Sequence, residues 1–291
     1  MSILGHRVLR TEDPKLLTSG GTYVDDLPLE GAAHVTYVRS SYAHARIKAI
    51  DVDDARGGVG VVGVFTATDL DLPPLAPEPY LPNTSIPRPM LARDVVRYVG
   101  EPVAAVVTEE LYPGPDAAEL VVVDYEPLPA VIDLEQAITD TVLIHPESGS
   151  NIAVDWDFGR DERLFDDCEV VVRQRMVNQR VAPCPLEVRA AAARWDDGCL
   201  VHWASTQAPH LVREMLAGLL DLEPDAVRVI TPDVGGGFGA KASYYPEELL
   251  LGWIARRLSR PIRWVETRSE SMVSLGHGRG QLQEVELVVR R

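Results

Sequence analysis

The chain has 291 residues, 46% of them hydrophobic and 25% charged, the composition of a soluble globular protein with room for two domains. Its 28 basic and 44 acidic residues leave a net charge of −16, which argues against nucleic acid as a partner. No apolar run approaches the roughly 20 residues that a membrane-spanning helix needs, and Cys168, Cys184 and Cys199 form no C-x-x-C pair, so they read as buried or incidental thiols rather than a disulfide frame or a metal site.

The start, Met1 to Arg7, has no apolar signal segment, so a cytoplasmic protein is expected. Ala33–Arg39 and Ile47–Val52 read as strands around a polar turn. Val59–Phe65 is a β-branched strand, with Thr66 as the expected N-cap of a short helix through Leu70. Residues 72–90 are Pro-rich without periodicity and predict a long irregular loop. Val95–Tyr98 and Val103–Thr108 are candidates for buried strands. Pro115–Val122 predicts a short helix, and Val121–Tyr125 a strand closed by Pro127 and Pro129. The acidic excess lies mostly here: residues 1–150 carry a net charge of −13 and the rest −3, which reads as a solvated acidic face.

A connector over 136–165 leads to a second unit. Glu169–Asn178, Val188–Trp195 and Leu200–Ser205 predict strands. Pro209–Leu220 carries apolar residues at helical spacing, and so does Glu247–Leu258, whose acidic start and basic end match the helix dipole. Ile262–Val265 predicts a strand, Thr267 opens a further helix, and Leu282–Val289 alternates as an exposed strand would. The last of these has no following sequence to pair with, so an edge strand and a chain cut off in mid-domain are both compatible with it.

The most informative segment lies between the strand expected at Ala226–Thr231 and the helix expected near Pro246. Asp233 to Lys241 reads DVGGGFGAK, with four glycines in five positions. Such a turn lets backbone N–H groups approach a ligand closely, and Phe238 inside it needs something to pack against, although taken alone the segment fits a plain tight turn equally well. It is neither a G-x-G-x-x-G turn opening directly into a helix nor a Walker A loop, so a nicotinamide or ATP site is not indicated. Upstream, Trp203–Pro209 carries Gln207 where a strand runs into a helix. Its amide offers both donors and acceptors, although the segment taken alone reads sooner as an N-cap at Ser205 or Thr206 with Gln207 decorating the first turn.

These segments, in this order, resemble the molybdenum-binding large subunit of the xanthine dehydrogenase, aldehyde oxidase and aerobic carbon monoxide dehydrogenase family. The resemblance also rests on Gly5–Arg7 through Pro14, Gly20–Asp26 (GGTYVDD), Ser40–Arg46 (SSYAHAR), Val96–Pro102 (VRYVGEP), Val123–Pro129 (VDYEPLP) and Asn178–Ala190, and it covers essentially the whole chain. It implies an α+β protein: an α/β-hammerhead domain over 1–135, then over 166–291 the first, incomplete part of a molybdopterin-binding α/β domain. It further implies that Gln207 hydrogen-bonds an oxygen ligand of molybdenum, and that Gly237, Phe238 and Gly239 line the cofactor. Lys241 resembles a local structural residue.

Other implications follow from the same resemblance. The cofactor would be molybdopterin, in the cytosine dinucleotide form, held only in an assembled complex. The partners would be a separately encoded C-terminal half, an iron–sulfur subunit and an FAD subunit, acting on a small-molecule substrate. The purine-oxidising members carry an acidic residue directly after the motif lysine, where this chain has Ala242, so their purine contact does not carry over. The family's catalytic glutamate belongs to a later portion, and neither Glu247 nor Glu248 is promoted in its place. No residue here is assigned as catalytic or as a metal ligand, and the chain alone is expected to be inactive. A non-catalytic truncated remnant and a subunit-docking module remain the alternative readings.

Overall fold

The computed structural model describes residues 4–5, 7–75, 86, 88–159 and 161–289. From the N-terminus, α1 (Asp13–Thr18) precedes the strands β1 (Ala33–Arg39) and β2 (Ala45–Asp51), and the single turn α2 (Asp53–Arg56) leads into β3 (Val61–Thr66). Next come β4 (Val95–Val96), β5 (Pro102–Thr108), α3 (Pro113–Glu119), β6 (Val122–Pro127) and α4 (Leu134–Ala137). The later part runs β7 (Val170–Asn178), β8 (Ala190–Asp196), β9 (Cys199–Ala204), α5 (Pro209–Leu219), β10 (Val227–Ile230), α6 (Pro246–Leu258), β11 (Ile262–Val265), α7 (Arg268–Ser274) and β12 (Gln281–Val289).

One mixed seven-stranded sheet in the order β10-β9-β8-β11-β1-β5-β3 takes three strands from the first half and four from the second. The halves join where β1 pairs in parallel with β11, Ala33 opposite Ile262 and His34 opposite Arg263. Small side chains make the central packing possible. Ala190–Ala193 of β8 are all buried, and α6 lies across β8 and β11. The main core therefore mixes Val35, Tyr37 and Val107 of the first half with Leu250, Ile254 and Trp264 of the second. A three-stranded sheet, β4-β2-β6, and a two-stranded ribbon, β12-β7, complete the fold.

Several local expectations are corrected. The short helix expected from Thr66 to Leu70 is a turn, in which the Asp69 carboxylate accepts from the Thr66 backbone N–H (2.7 Å) and from its hydroxyl (2.9 Å). The helix expected over 115–122 with Pro113 near its start runs from Pro113 to Glu119, with Pro113 in its first turn, where a missing N–H costs nothing. Within the Pro-rich stretch, positions 76–85 and 87 lie outside the described residues, and Leu75 bridges to Arg88. The terminal strand pairs antiparallel with β7 over nine residues, from Gln281 opposite Asn178 to Val289 opposite Val170. No helix among the described residues is long and apolar enough to cross a membrane.

Candidate functional site

The sequence motifs of the first half are mostly structural joints. In SSYAHAR and VRYVGEP, the Ser40 N–H donates to the Glu101 carbonyl and the Gly100 N–H to the Ser40 carbonyl, at 2.9 and 2.8 Å. His44 ties SSYAHAR to VDYEPLP through its contact with the Pro129 carbonyl, at 2.6 Å. GGTYVDD is different, because it reaches the glycine run. The Thr22 N–H donates to Asp233 Oδ2 at 2.8 Å, and the Asp233 N–H returns to the Thr22 carbonyl at 3.0 Å. Lys15 donates to the same Asp233 oxygen and, with the Thr22 N–H, holds that carboxyl below its ordinary pKa.

The glycine run is a loop with left-handed backbone at Gly236 (φ +105°), Phe238 (+54°) and Gly239 (+87°). Two of its glycines are required by close approach. A Cβ on Gly235 would stand 2.5 Å from Glu187 Cβ, and one on Gly237 would stand 2.3 Å from Gln207 Oε1. Gln207 and the run are thus in van der Waals contact, and the Gly239 N–H donates to Gln207 Oε1 at 3.0 Å. A backbone N–H can only donate, so this bond fixes which end of the carboxamide faces the loop. Nε2 is left as an exposed donor with no protein acceptor among the described residues. The backbone N–H groups of Gly236, Gly237 and Phe238 likewise donate to no acceptor among the described residues.

A buried clamp holds this loop. Glu187 Oε2 accepts from the Gly235 N–H (2.7 Å), the Ser205 hydroxyl (2.7 Å) and Lys241 Nζ (2.9 Å). Lys241 also donates to Ser205 Oγ at 2.6 Å, and its carbonyl accepts from the Gln207 N–H at 2.8 Å. One carboxylate therefore fastens the start of the loop, its end, and the strand terminus that presents Gln207. Lys241 is 1% exposed, and burial lowers its pKa against the pull of Glu187, as befits a structural bolt. The expected cap at Ser205 or Thr206 is corrected. Ala208 occupies the N-cap of α5 with no side-chain cap, because Ser205 is spent on Glu187, while Thr206 accepts from the Ala208 N–H and donates to the Lys241 carbonyl.

The exposed side of the loop faces an open cleft of about 650 Å³. Phe238 and Gly239 form part of its wall, with Val181, Pro183, Tyr245 and Arg279. Gln207 and Gly237 stand beside that wall, joined to it by the bond to Gly239. The Phe238 ring, expected to be packed, is 75% exposed. Arg88 and Arg279 line the same cleft, so a chain of strongly negative charge gathers two guanidinium groups there, beside His277, whose pKa burial and Arg180 lower. Free N–H donors beside cationic side chains suit a ligand rich in anionic oxygen, as the phosphate and metal oxo groups of a pterin–molybdenum cofactor are. No group of three or more His, Cys, Asp or Glu able to hold a metal occurs among the described residues.

Behind Lys241 lies a charge network that no sequence pattern announced. Arg189, 1% exposed, pairs with Glu266 and with Glu247 (3.3 Å), and stacks on the Tyr245 ring at 4.0 Å. Arg39 of β1 reaches the same Glu247 (2.7 Å) and Glu270 of α7 (2.8 Å). The acidic start and basic end expected of this helix are present, with Glu247 and Glu248 in the first turn of α6 and Arg256 and Arg257 in its last, but both glutamates are only 2% exposed and every residue from Pro246 to Ala255 is buried. Burial alone would raise Glu247, but Arg189 and Arg39 bring it down to about 2. Its neighbour Glu248 is pushed up to about 8, chiefly by burial. Cys184, the one exposed cysteine, has its Sγ 3.6 Å from Met272 Sδ.

Comparison with known proteins places this geometry. Residues 144–291 match the molybdopterin cofactor-binding domain, and residues 18–129 match the a/b hammerhead domain of aldehyde oxidase and xanthine dehydrogenase. The chain is 36% identical over 292 residues to the nicotine 6-hydroxylase large subunit of Paenarthrobacter nicotinovorans, covering 98% of this chain and 36% of that protein. It is 34% identical over 306 residues to the carbon monoxide dehydrogenase large chain of Afipia carboxidovorans, covering 99% of this chain and 38% of the relative. The crystal structure of quinoline 2-oxidoreductase from Pseudomonas putida 86 superposes with a TM-score of 0.89 at 38% identity, over 99% of this chain and 37% of that one. The chain thus spans little more than a third of the length of these proteins. It belongs to the molybdenum hydroxylase large-subunit family, of which it carries the hammerhead domain and sequence of the molybdopterin cofactor-binding domain.

Proposed function

We propose that this chain is the N-terminal portion of a molybdenum hydroxylase large subunit and forms one wall of its cofactor site. Gln207, Gly237, Phe238 and Gly239 are the residues of that wall. The observation that carries the reading is the bond from the Gly239 N–H to Gln207 Oε1, which turns the Gln207 amide N–H groups outward as donors beside the free N–H groups of the loop. When bound, the molybdenum cofactor supplies two-electron oxidation of a carbon centre, with oxygen taken from water. This chain's own part is to orient: the Glu187–Lys241 clamp holds the loop, Gly237 leaves room for the carboxamide, and Arg88 and Arg279 favour an anionic ligand. The cofactor form we favour is the cytosine dinucleotide.

A complementary C-terminal half supplies the opposite wall and the catalytic base, and electrons leave through an iron–sulfur subunit and an FAD subunit in the cytoplasm. The substrate is an aldehyde, a heteroaromatic ring or a similar small molecule. The names of the nicotine and quinoline enzymes among the relatives favour the ring. Elemental analysis tests the assignment. The isolated chain is expected to carry no molybdenum and the completed complex one atom per chain. Stoichiometric metal in the isolated chain would overturn the shared-site reading, and a stable complex that lacks molybdenum would leave a docking module in its place.

A further inference from the structure

Two separate stretches of chain line most of the cleft: residues 238–240 of the glycine run, and residues 276–279, which follow α7. The second stretch is tied at Gly278, whose N–H donates to the Val181 carbonyl (2.9 Å) and whose carbonyl accepts from the Val181 N–H (3.1 Å). No backbone hydrogen bond joins the two stretches to each other among the described residues.

One side chain spans them. Tyr245 occupies the N-cap of α6, lines the cleft and is 8% exposed. Its hydroxyl lies 2.7 Å from the Ala240 carbonyl and 3.1 Å from the Gly276 nitrogen. A carbonyl only accepts and a backbone N–H only donates, so the phenol proton goes to Ala240 and the phenol oxygen receives the Gly276 N–H. The same oxygen thus donates to one stretch and accepts from the other. The ring is held in place as well. Arg189 stacks on it at 4.0 Å, and that guanidinium is fixed in turn by Glu266, Glu247 and Ser274. Ala240 and Leu275 pack with it in a small buried cluster. Gly276 answers to the same contact, since a Cβ there would stand 3.0 Å from the hydroxyl. Burial raises the Tyr245 pKa, so the hydroxyl keeps its proton, and with it the bond to Ala240, at neutral pH.

We infer that Tyr245 is a positioning residue of the candidate cofactor site: its hydroxyl couples the glycine run to the 276–279 stretch and fixes the opening at which the loop donors meet a ligand. This rests on the reading that the cleft holds the cofactor. Tyr245 acts through Ala240 and Gly276, by geometry, and passes no proton to a substrate. A buried tyrosine hydroxyl ordinarily finds one partner and does no more than stabilise the fold. Tyr37 is such a case, with its hydroxyl donating to the Glu247 carbonyl at 2.8 Å and no place in the cleft lining.

The test compares Tyr245→Phe with Tyr37→Phe, which removes a similarly buried hydroxyl elsewhere. Amide exchange of the full chain is followed residue by residue, and molybdenum is measured in the completed complex. In Tyr245→Phe, exchange at Gly276 and, across the cleft, at Gly239 and Ala240 is expected to quicken by about tenfold, with retained molybdenum falling by a similar factor. In Tyr37→Phe neither moves. Gly276→Ala crowds the hydroxyl from the other side and should loosen Gly239 and Ala240 in the same way. It decides the question if Tyr245→Phe does not fold. Unchanged exchange at Gly239 and Ala240, or equal loosening in Tyr37→Phe, would overturn the coupling. Loosened amides with molybdenum fully retained would overturn the positioning role while leaving the cofactor site in place. A wild-type complex without molybdenum would overturn the cofactor reading and this inference with it.

Discussion

Gly237 is where residue chemistry bears most directly on the site. Its lack of a side chain leaves the space that Gln207 Oε1 fills, since a Cβ would come within 2.3 Å. We expect Gly237→Ala to push the carboxamide away and break its bond with the Gly239 N–H. Amide exchange at Gly239 should quicken at least tenfold in the isolated chain, and molybdenum retained by the complex should fall by a similar factor. Unchanged exchange would show that the bond does not hold the loop. His202 on β9 is a second residue with a measurable signature. It is fully buried, neither ring nitrogen has a hydrogen-bond partner among the described residues, and burial lowers its pKa to about 4. A folded-state pKa below the unfolded value of about 6.5 means that stability is intact above pH 6.5 and is lost as pH falls toward 4. His202 should account for a loss of about 2 kcal/mol between pH 7 and pH 5. Urea titrations should show this difference between the wild type and His202→Leu; parallel pH dependences would refute it.

At the scale of elements, α6 does more than its pattern announced. Apolar spacing located it within one residue at its start, but that spacing carried no sign that its first turn, charged glutamates included, is buried. Its first turn buries Glu247 between Arg39 of β1 and Arg189, just before β8, so the helix start is pinned to both halves of the sheet. Removing one partner of a buried network leaves charge uncompensated, at a cost of about 3–5 kcal/mol. We expect Arg189→Met to destabilise the chain by about that amount, measured by chemical denaturation. A loss below about 1 kcal/mol would mean that water or rearrangement compensates. Lys241 belongs to the same scale. The sequence reading took it as structural, and it is the bolt between Glu187, Ser205 and the start of α5. Glu187 lies within the Asn178–Ala190 motif, but its pairing with Lys241 carried no signal, because a carboxylate and a lysine 54 positions apart leave no periodic trace.

At the scale of the molecule, the halves separated by the expected boundary share a sheet and a core. The parallel β1–β11 pair and the mixed cluster around Tyr37 and Trp264 make their folding interdependent. We expect calorimetry to show one cooperative transition for the main body. Two well-resolved transitions, or independent folding of residues 1–135, would count against this coupling.

The order of the motifs was enough to identify the α+β architecture, its family and the glycine loop beside Gln207. Local patterns such as strand alternation, the strand–glycine–helix succession and the proline at the start of α6 lie within reach of a linear reading. Tertiary structure decided the rest: the carboxamide turned by a single N–H, the clamp on Glu187, the burial of Glu247 and Glu248, and the sheet that crosses the halves. These depend on pairings between residues 32 to more than 200 positions apart, set by packing in three dimensions, and no periodicity of the chain encodes them.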